Sequence, residues 1–158
     1  MRTAILVGLF GAVVLAAVLW LPGRRDASEP APSAVPARAA SSSSLTQRDA
    51  GEGAVEVEVT LVVRGTPDAA KFGADSQTVF LVSMNTHSVD LAGYDIVKLS
   101  ELLVAGRRFA PLRWVSTSDT NHHRSGALIF PKADRGAGLE LRIKTIAGVP
   151  VRTFRWAP

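Results

Sequence analysis

The chain has 158 residues, with 18 Lys+Arg against 14 Asp+Glu and a formal net charge of +4, room for one ordinary domain with appendages. It contains no cysteine, which excludes a disulfide framework, a thiolate zinc site, an iron–sulfur cluster and a Cys nucleophile. From residue 51 onward, 13 basic residues face 11 acidic ones with no run of four basic positions, so the charge pattern argues against a nucleic-acid partner.

Residues 1–3 form a short flank. Residues 4–21 (AILVGLFGAVVLAAVLWL) are 18 consecutive positions without a charge. A helix of that length spans about 27 Å, close to the hydrocarbon thickness of a bilayer. Trp20 suits the membrane interface, and Pro22, Gly23, Arg24 and Arg25 stop the helix and supply charge. The expectation is a single-pass transmembrane signal anchor that makes the lipid bilayer a partner and the cell membrane the location. A cleaved signal peptide competes, but its apolar region is usually about 7–15 residues and ends near an Ala-x-Ala site. Orientation is read from the short N-terminal flank and the Ser/Pro/Ala stretch that follows, which places the C-terminal domain extracytoplasmically.

Residues 22–51 hold four prolines and the serine run Ser41 to Ser44. Such a stretch buries too little apolar surface to offset its ordering entropy, so a disordered linker is expected.

Residues 52–158 carry the domain. Val55, Val57, Val59 and Leu61 alternate with Glu56, Glu58 and Thr60, the period of a half-buried strand. Gly65–Thr66–Pro67–Asp68 reads as a turn. Strand-length runs follow at residues 79–85, 108–115 and 126–130. Residues 95–105 fit a short helix or a strand equally well. Leu139, Leu141 and Ile143 then alternate with Glu140, Arg142 and Lys144, and a turn at residues 147–150 leads into an extended 152–156, the pattern of a terminal β-hairpin. The spacing of strands and turns predicts an all-β, antiparallel β-sandwich of immunoglobulin-like or cupredoxin-like type.

All three histidines fall in two polar stretches, His87 beside Asp90 and His122–His123 near Asp119. His87, His122, His123 and Asp90 are candidate ligands for Cu or Zn, since imidazole and carboxylate suit both ions. Against this, neighbours in a strand point to opposite faces, so His122 and His123 reach one ion only if the backbone turns there. Arg142, Lys144, Arg152 and Arg155 are a candidate basic surface for anionic lipid or an acidic partner, or a solvated strand face. No Gly-x-Ser-x-Gly elbow or phosphate-binding glycine loop is present. The expected function is a membrane-anchored binding or interaction module without enzymatic activity, contacting a protein of the cell envelope, with metal binding as the alternative.

Thr86–His87–Ser88–Val89–Asp90–Leu91 and the stretch from His122 to Pro131, with Phe154–Arg155–Trp156 at the end, resemble an uncharacterised prokaryotic family of exported or membrane-anchored small β domains. The resemblance covers residues 53–158. It implies that His87, Asp90, His122, His123 and Gly126 occupy motif positions, and it carries no activity with it.

Overall fold

The structure, a computed structural model, describes residues 45–49 and 53–158. Nine strands follow in order: β1 (Thr46–Asp49), β2 (Val55–Leu61), β3 (Thr78–Thr86), β4 (Ser100–Val104), β5 (Arg107–Phe109), β6 (Arg113–Asp119), β7 (His123–Phe130), β8 (Leu139–Ile146) and β9 (Val149–Trp156). They build a five-stranded sheet, β1-β2-β3-β7-β6, and a four-stranded sheet, β5-β4-β8-β9. Every pairing is antiparallel.

One core joins the two sheets. Val55, Val57 and Val59 of β2 and Phe80, Val82 and Met84 of β3 meet Leu141, Ile143 and Phe154 of the second sheet. Phe80 lies edge-on to Phe130, with ring centroids 5.8 Å apart, and 4.9 Å from Trp156. Burying a side chain such as Phe80 contributes about 3 kcal/mol.

A second apolar cluster lies on the outer face of the larger sheet. Here Val79, Ala127 and Ile129 are covered by Ala69 and Phe72 of a short helix, α1 (Pro67–Phe72). The segment read as a turn is the start of this helix. Thr66 caps it, its Oγ1 accepting from the Ala69 N–H at 3.2 Å, Pro67 occupies the first helical position, and Gly73 ends it at φ 80°.

The ambiguous stretch 95–105 holds both alternatives in succession: a helix α2 (Ile96–Leu99) and then β4. The run 108–115 is divided between β5 and β6, which belong to different sheets. Strand β1 lies inside the stretch expected to be linker. It pairs with β2 and also clasps β9 through side chains. The Gln47 amide accepts from the Arg155 N–H at 3.0 Å and donates to the Arg155 carbonyl, while Trp156 Nε1 donates to the Leu45 carbonyl at 2.9 Å.

The anchored topology requires correction. Among the described residues no helix is long and apolar enough to cross a membrane. The helix expected over 4–21 and most of the expected linker lie outside the described residues. The single-pass topology, the cell-membrane location and the bilayer contact therefore have no spanning element in the described structure to rest on.

Candidate functional site

The two polar stretches do meet, but through backbone. The Thr86 N–H donates to the His122 carbonyl at 3.0 Å, and the Leu91 N–H to the Asn121 carbonyl at 2.7 Å. Arg124 strengthens the junction. It donates to the Leu91 carbonyl at 3.2 Å and to the Tyr94 carbonyl, and its Nε stands 3.1 Å from Asp119. Thr86 Oγ1 accepts from the Ser88 and Val89 N–H groups, and Asp90 accepts from the Ala92 N–H at 3.0 Å, as local turn-forming side chains do.

The metal reading is overturned here. Among the described residues no group of three or more His, Asp or Glu side chains could hold an ion, whereas a zinc site takes at least three protein ligands. His87 and His123 line one shallow cleft of about 260 Å³ with Glu56 and Asn85, but His122 and Asp90 are not part of it. His123 Nδ1 is engaged by Asn85 Oδ1 at 2.9 Å. His123 opens β7 opposite Asn85, and its neighbour His122 lies outside the strand in the preceding bend and contributes its carbonyl.

The four basic residues of the last hairpin divide in the same way. Arg142 lies opposite Thr153, and Ile143 opposite Arg152, so Arg152 turns inward and its side chain is fully buried against Asp49. Arg142, Lys144 and Arg155 stay on the outer face, where they are matched by carboxylates. Lys144 is 2.9 Å from Glu101, and Arg155 is 2.7 Å from Glu140, which also pairs with Arg142. The hydrogen bond from Lys144 holds the Glu101 carboxyl below its ordinary range against the opposing effect of burial. At Glu140 burial opposes ionisation, and the hydrogen bonds from Arg155 and Arg142 outweigh it. This face is an ion-paired network in which each of the three cations has a carboxylate partner, unlike a free basic stripe.

A group of basic side chains outside these ion pairs stands at one end of the sandwich. Arg64 follows β2, Lys132 follows β7, and Arg135 opens a 3₁₀ turn (Arg135–Ala137). Together with Val63, Ala74 and Ala133 they line a cleft of about 740 Å³. The ion pairs of the described residues join Arg48, Lys98, Arg124, Arg142, Lys144, Arg152 and Arg155 to carboxylates. Arg64, Lys132 and Arg135 belong to none of them, nor do Lys71, Arg107, Arg108 and Arg113, and what sets the first three apart is their shared cleft.

The local fold explains how these three are held. Arg135 Nη2 donates to the Val62 carbonyl at 2.7 Å, and Arg64 Nη2 to the Asp75 carbonyl at 3.2 Å. Thr78 Oγ1 accepts from the Ala133 N–H at 2.9 Å and ties the Lys132 segment to β3. Asp134 is the one carboxylate of the lining, and its Oδ1 accepts from the Gly136 N–H at 2.9 Å. Three cations against one carboxylate leave the lining at +2. Burial, and then the neighbouring Arg64 charge, weaken the hold of Arg135 on its proton. Both effects make an anion in the cleft favourable.

No sequence motif marks these residues. They are three single basic positions separated by up to 71 residues, and only the side-by-side antiparallel pairing of β2, β3 and β7 brings them to one rim. A trace lay in the sequence at Pro131–Lys132–Ala133–Asp134–Arg135, a charged loop directly after an apolar strand.

No family model, curated protein or solved structure matches the chain. The immunoglobulin-like or cupredoxin-like subtype therefore finds no counterpart among solved structures, and what stands is a small antiparallel β-sandwich. The envelope protein partner expected from sequence has no support in the described surface. Its large exposed apolar side chains are Leu45, Leu112 and Val151, single residues from three separate segments.

Proposed function

We propose that the domain is a non-catalytic small-molecule-binding sandwich whose ligand seats in the end cleft beside Arg64, Lys132 and Arg135. One observation carries the reading: the cleft of about 740 Å³ gathers three basic side chains from two loops without an ion-pair partner among the described residues. Its size falls in the range of small-molecule sites, which combine apolar lining with a few placed polar groups. Loops at the end of a rigid sandwich are also where such sites form.

A non-catalytic role fits the use made of the other polar residues. His123 Nδ1 is engaged by Asn85, Asp90 and Asp134 each accept a backbone N–H in a local turn, and no activated nucleophile stands beside them among the hydrogen bonds of the described residues.

The test is a thermal-shift screen of neutral, cationic and anionic small molecules against the full-length chain and a Gly136→Trp variant. Gly136 lines the cleft and is exposed, and a Cβ there meets only Asp134 Oδ1, at 3.3 Å. The variant therefore fills the cleft while leaving the core intact. Ligands that raise Tm in the parent and lose that effect in the variant support the cleft. Ligands that stabilise both chains equally place binding elsewhere and reject it.

A further inference from the structure

We propose that the end cleft selects an organic phosphate monoester, an inference that rests on the binding role given above and names its ligand class. The charge of the site sets the class. A lining of +2 is balanced by a single phosphomonoester, which carries about −1.5 to −2 at neutral pH; a monocarboxylate leaves half of it unmatched.

The side chains suit the same group. Arg64 and Arg135 each spend a donor on a backbone carbonyl, which fixes the guanidinium plane, and the remaining donors form the planar fork that matches phosphate oxygens. Arg135 is partly desolvated and stands near Arg64, so a dianion between them relieves a repulsion present in the empty site. Lys132, three residues before Arg135 in the same loop, adds a third charge to the lining. The cleft is larger than a bare phosphate needs, and Val63, Ala74 and Ala133 supply apolar wall for the body of the ester.

Three cations in one concavity, on a domain without a basic run, favour a compact ligand over a polynucleotide, whose backbone needs an extended basic track. The phosphomonoester group occurs both in soluble metabolites and in the headgroup of phosphatidic acid, and the same site chemistry serves either source.

The experiment is calorimetric titration of the full-length chain with glycerol 3-phosphate, with glycerol as the uncharged control. Cosedimentation with phosphatidylcholine vesicles, with and without phosphatidic acid, forms a second arm. The variant is Arg64→Gln/Lys132→Gln, two exposed positions whose loss leaves the fold unchanged. Saturable binding of glycerol 3-phosphate that weakens by more than about a hundredfold in the variant is expected, since two charge-assisted contacts are lost together. A response confined to phosphatidic acid vesicles and lost in the variant identifies the lipid source of the same group.

Three results overturn the inference: binding unchanged in the variant, no response to either phosphate probe, or tighter binding of a short single-stranded oligonucleotide. If the phosphate probes fail while neutral ligands still protect the parent and not Gly136→Trp, the ligand class is wrong and the cleft stands. If nothing separates parent from Gly136→Trp, the cleft itself is rejected.

Discussion

Gly126 shows how closely two residues of this core depend on each other. A Cβ at this position would lie 2.4 Å from the Val115 carbonyl oxygen and 2.6 Å from the Trp114 ring, so the glycine is what lets the indole pack flat over β7. Gly126→Ala is expected to cost about 3 kcal/mol, measured as a lower midpoint in urea denaturation; an unchanged midpoint would mean that the indole moves freely. A gain is available at the β4–β5 hairpin. Its two-residue turn places Ala105 at φ 48° and Gly106 at φ 78°, the left-handed pair in which Asn-Gly is preferred. Ala105→Asn, at an exposed position, should raise stability by about 0.5 kcal/mol, read as a small increase in Tm. At this scale sequence reasoning reaches only part of the site. Alternation argued that His122 and His123 reach one ion only if the backbone turns there, and in the structure His122 lies in the bend before β7, its carbonyl bonded to Thr86, while the His123 imidazole meets Asn85. Arg124, which ties Leu91 and Tyr94 to β7, carried no signal, because its partners are carbonyls 30 and 33 residues away.

Elements explain why the outer faces behave as they do. On the smaller sheet, Glu101 and Glu140 sit among Arg142, Lys144 and Arg155 across three adjacent strands. Both carboxyls titrate below their unfolded values, so the stability they supply is fully present above the ordinary glutamate range, about pH 4.3, and disappears as pH falls through their lowered folded values. Thermal unfolding should therefore be level from neutral pH to about 5 and fall steeply below about 4. A Glu101→Gln/Glu140→Gln chain should show a shallower acid limb; identical limbs would assign the acid loss to other carboxylates. The β1–β9 clasp is a second element-level device. The Gln47 amide satisfies both backbone groups of Arg155, so Gln47→Ala should cost about 1 kcal/mol and speed hydrogen exchange at the Arg155 amide. The strands were legible because each half-buried strand writes its own period of two, as in β2 and β8. Strand β1 and helix α1 were not. Four residues in a Ser-rich stretch carry no period, and α1 has only Ala69 and Phe72 to mark its buried face.

At the scale of the whole molecule, the sandwich is a frame that sorts charge. Its sheet faces and its β1 clasp neutralise Arg48, Arg142, Lys144, Arg152 and Arg155 with carboxylates, and the histidine-bearing end is closed by backbone hydrogen bonds. Three of the basic side chains that these ion pairs leave out, Arg64, Lys132 and Arg135, gather in one cleft where β2 and β7 end. That placement could not be read from the sequence, since it depends on which strand ends share a rim and not on any local pattern. The most direct measurement of the account is amide chemical-shift mapping of the full-length chain during titration with glycerol 3-phosphate. A phosphate seated in the cleft should give saturable shifts confined to Val63, Arg64, Gln77 and the Lys132–Gly136 loop. Shifts centred instead on His87, Asn85 and His123, or spread over the sheet faces without saturation, would contradict it.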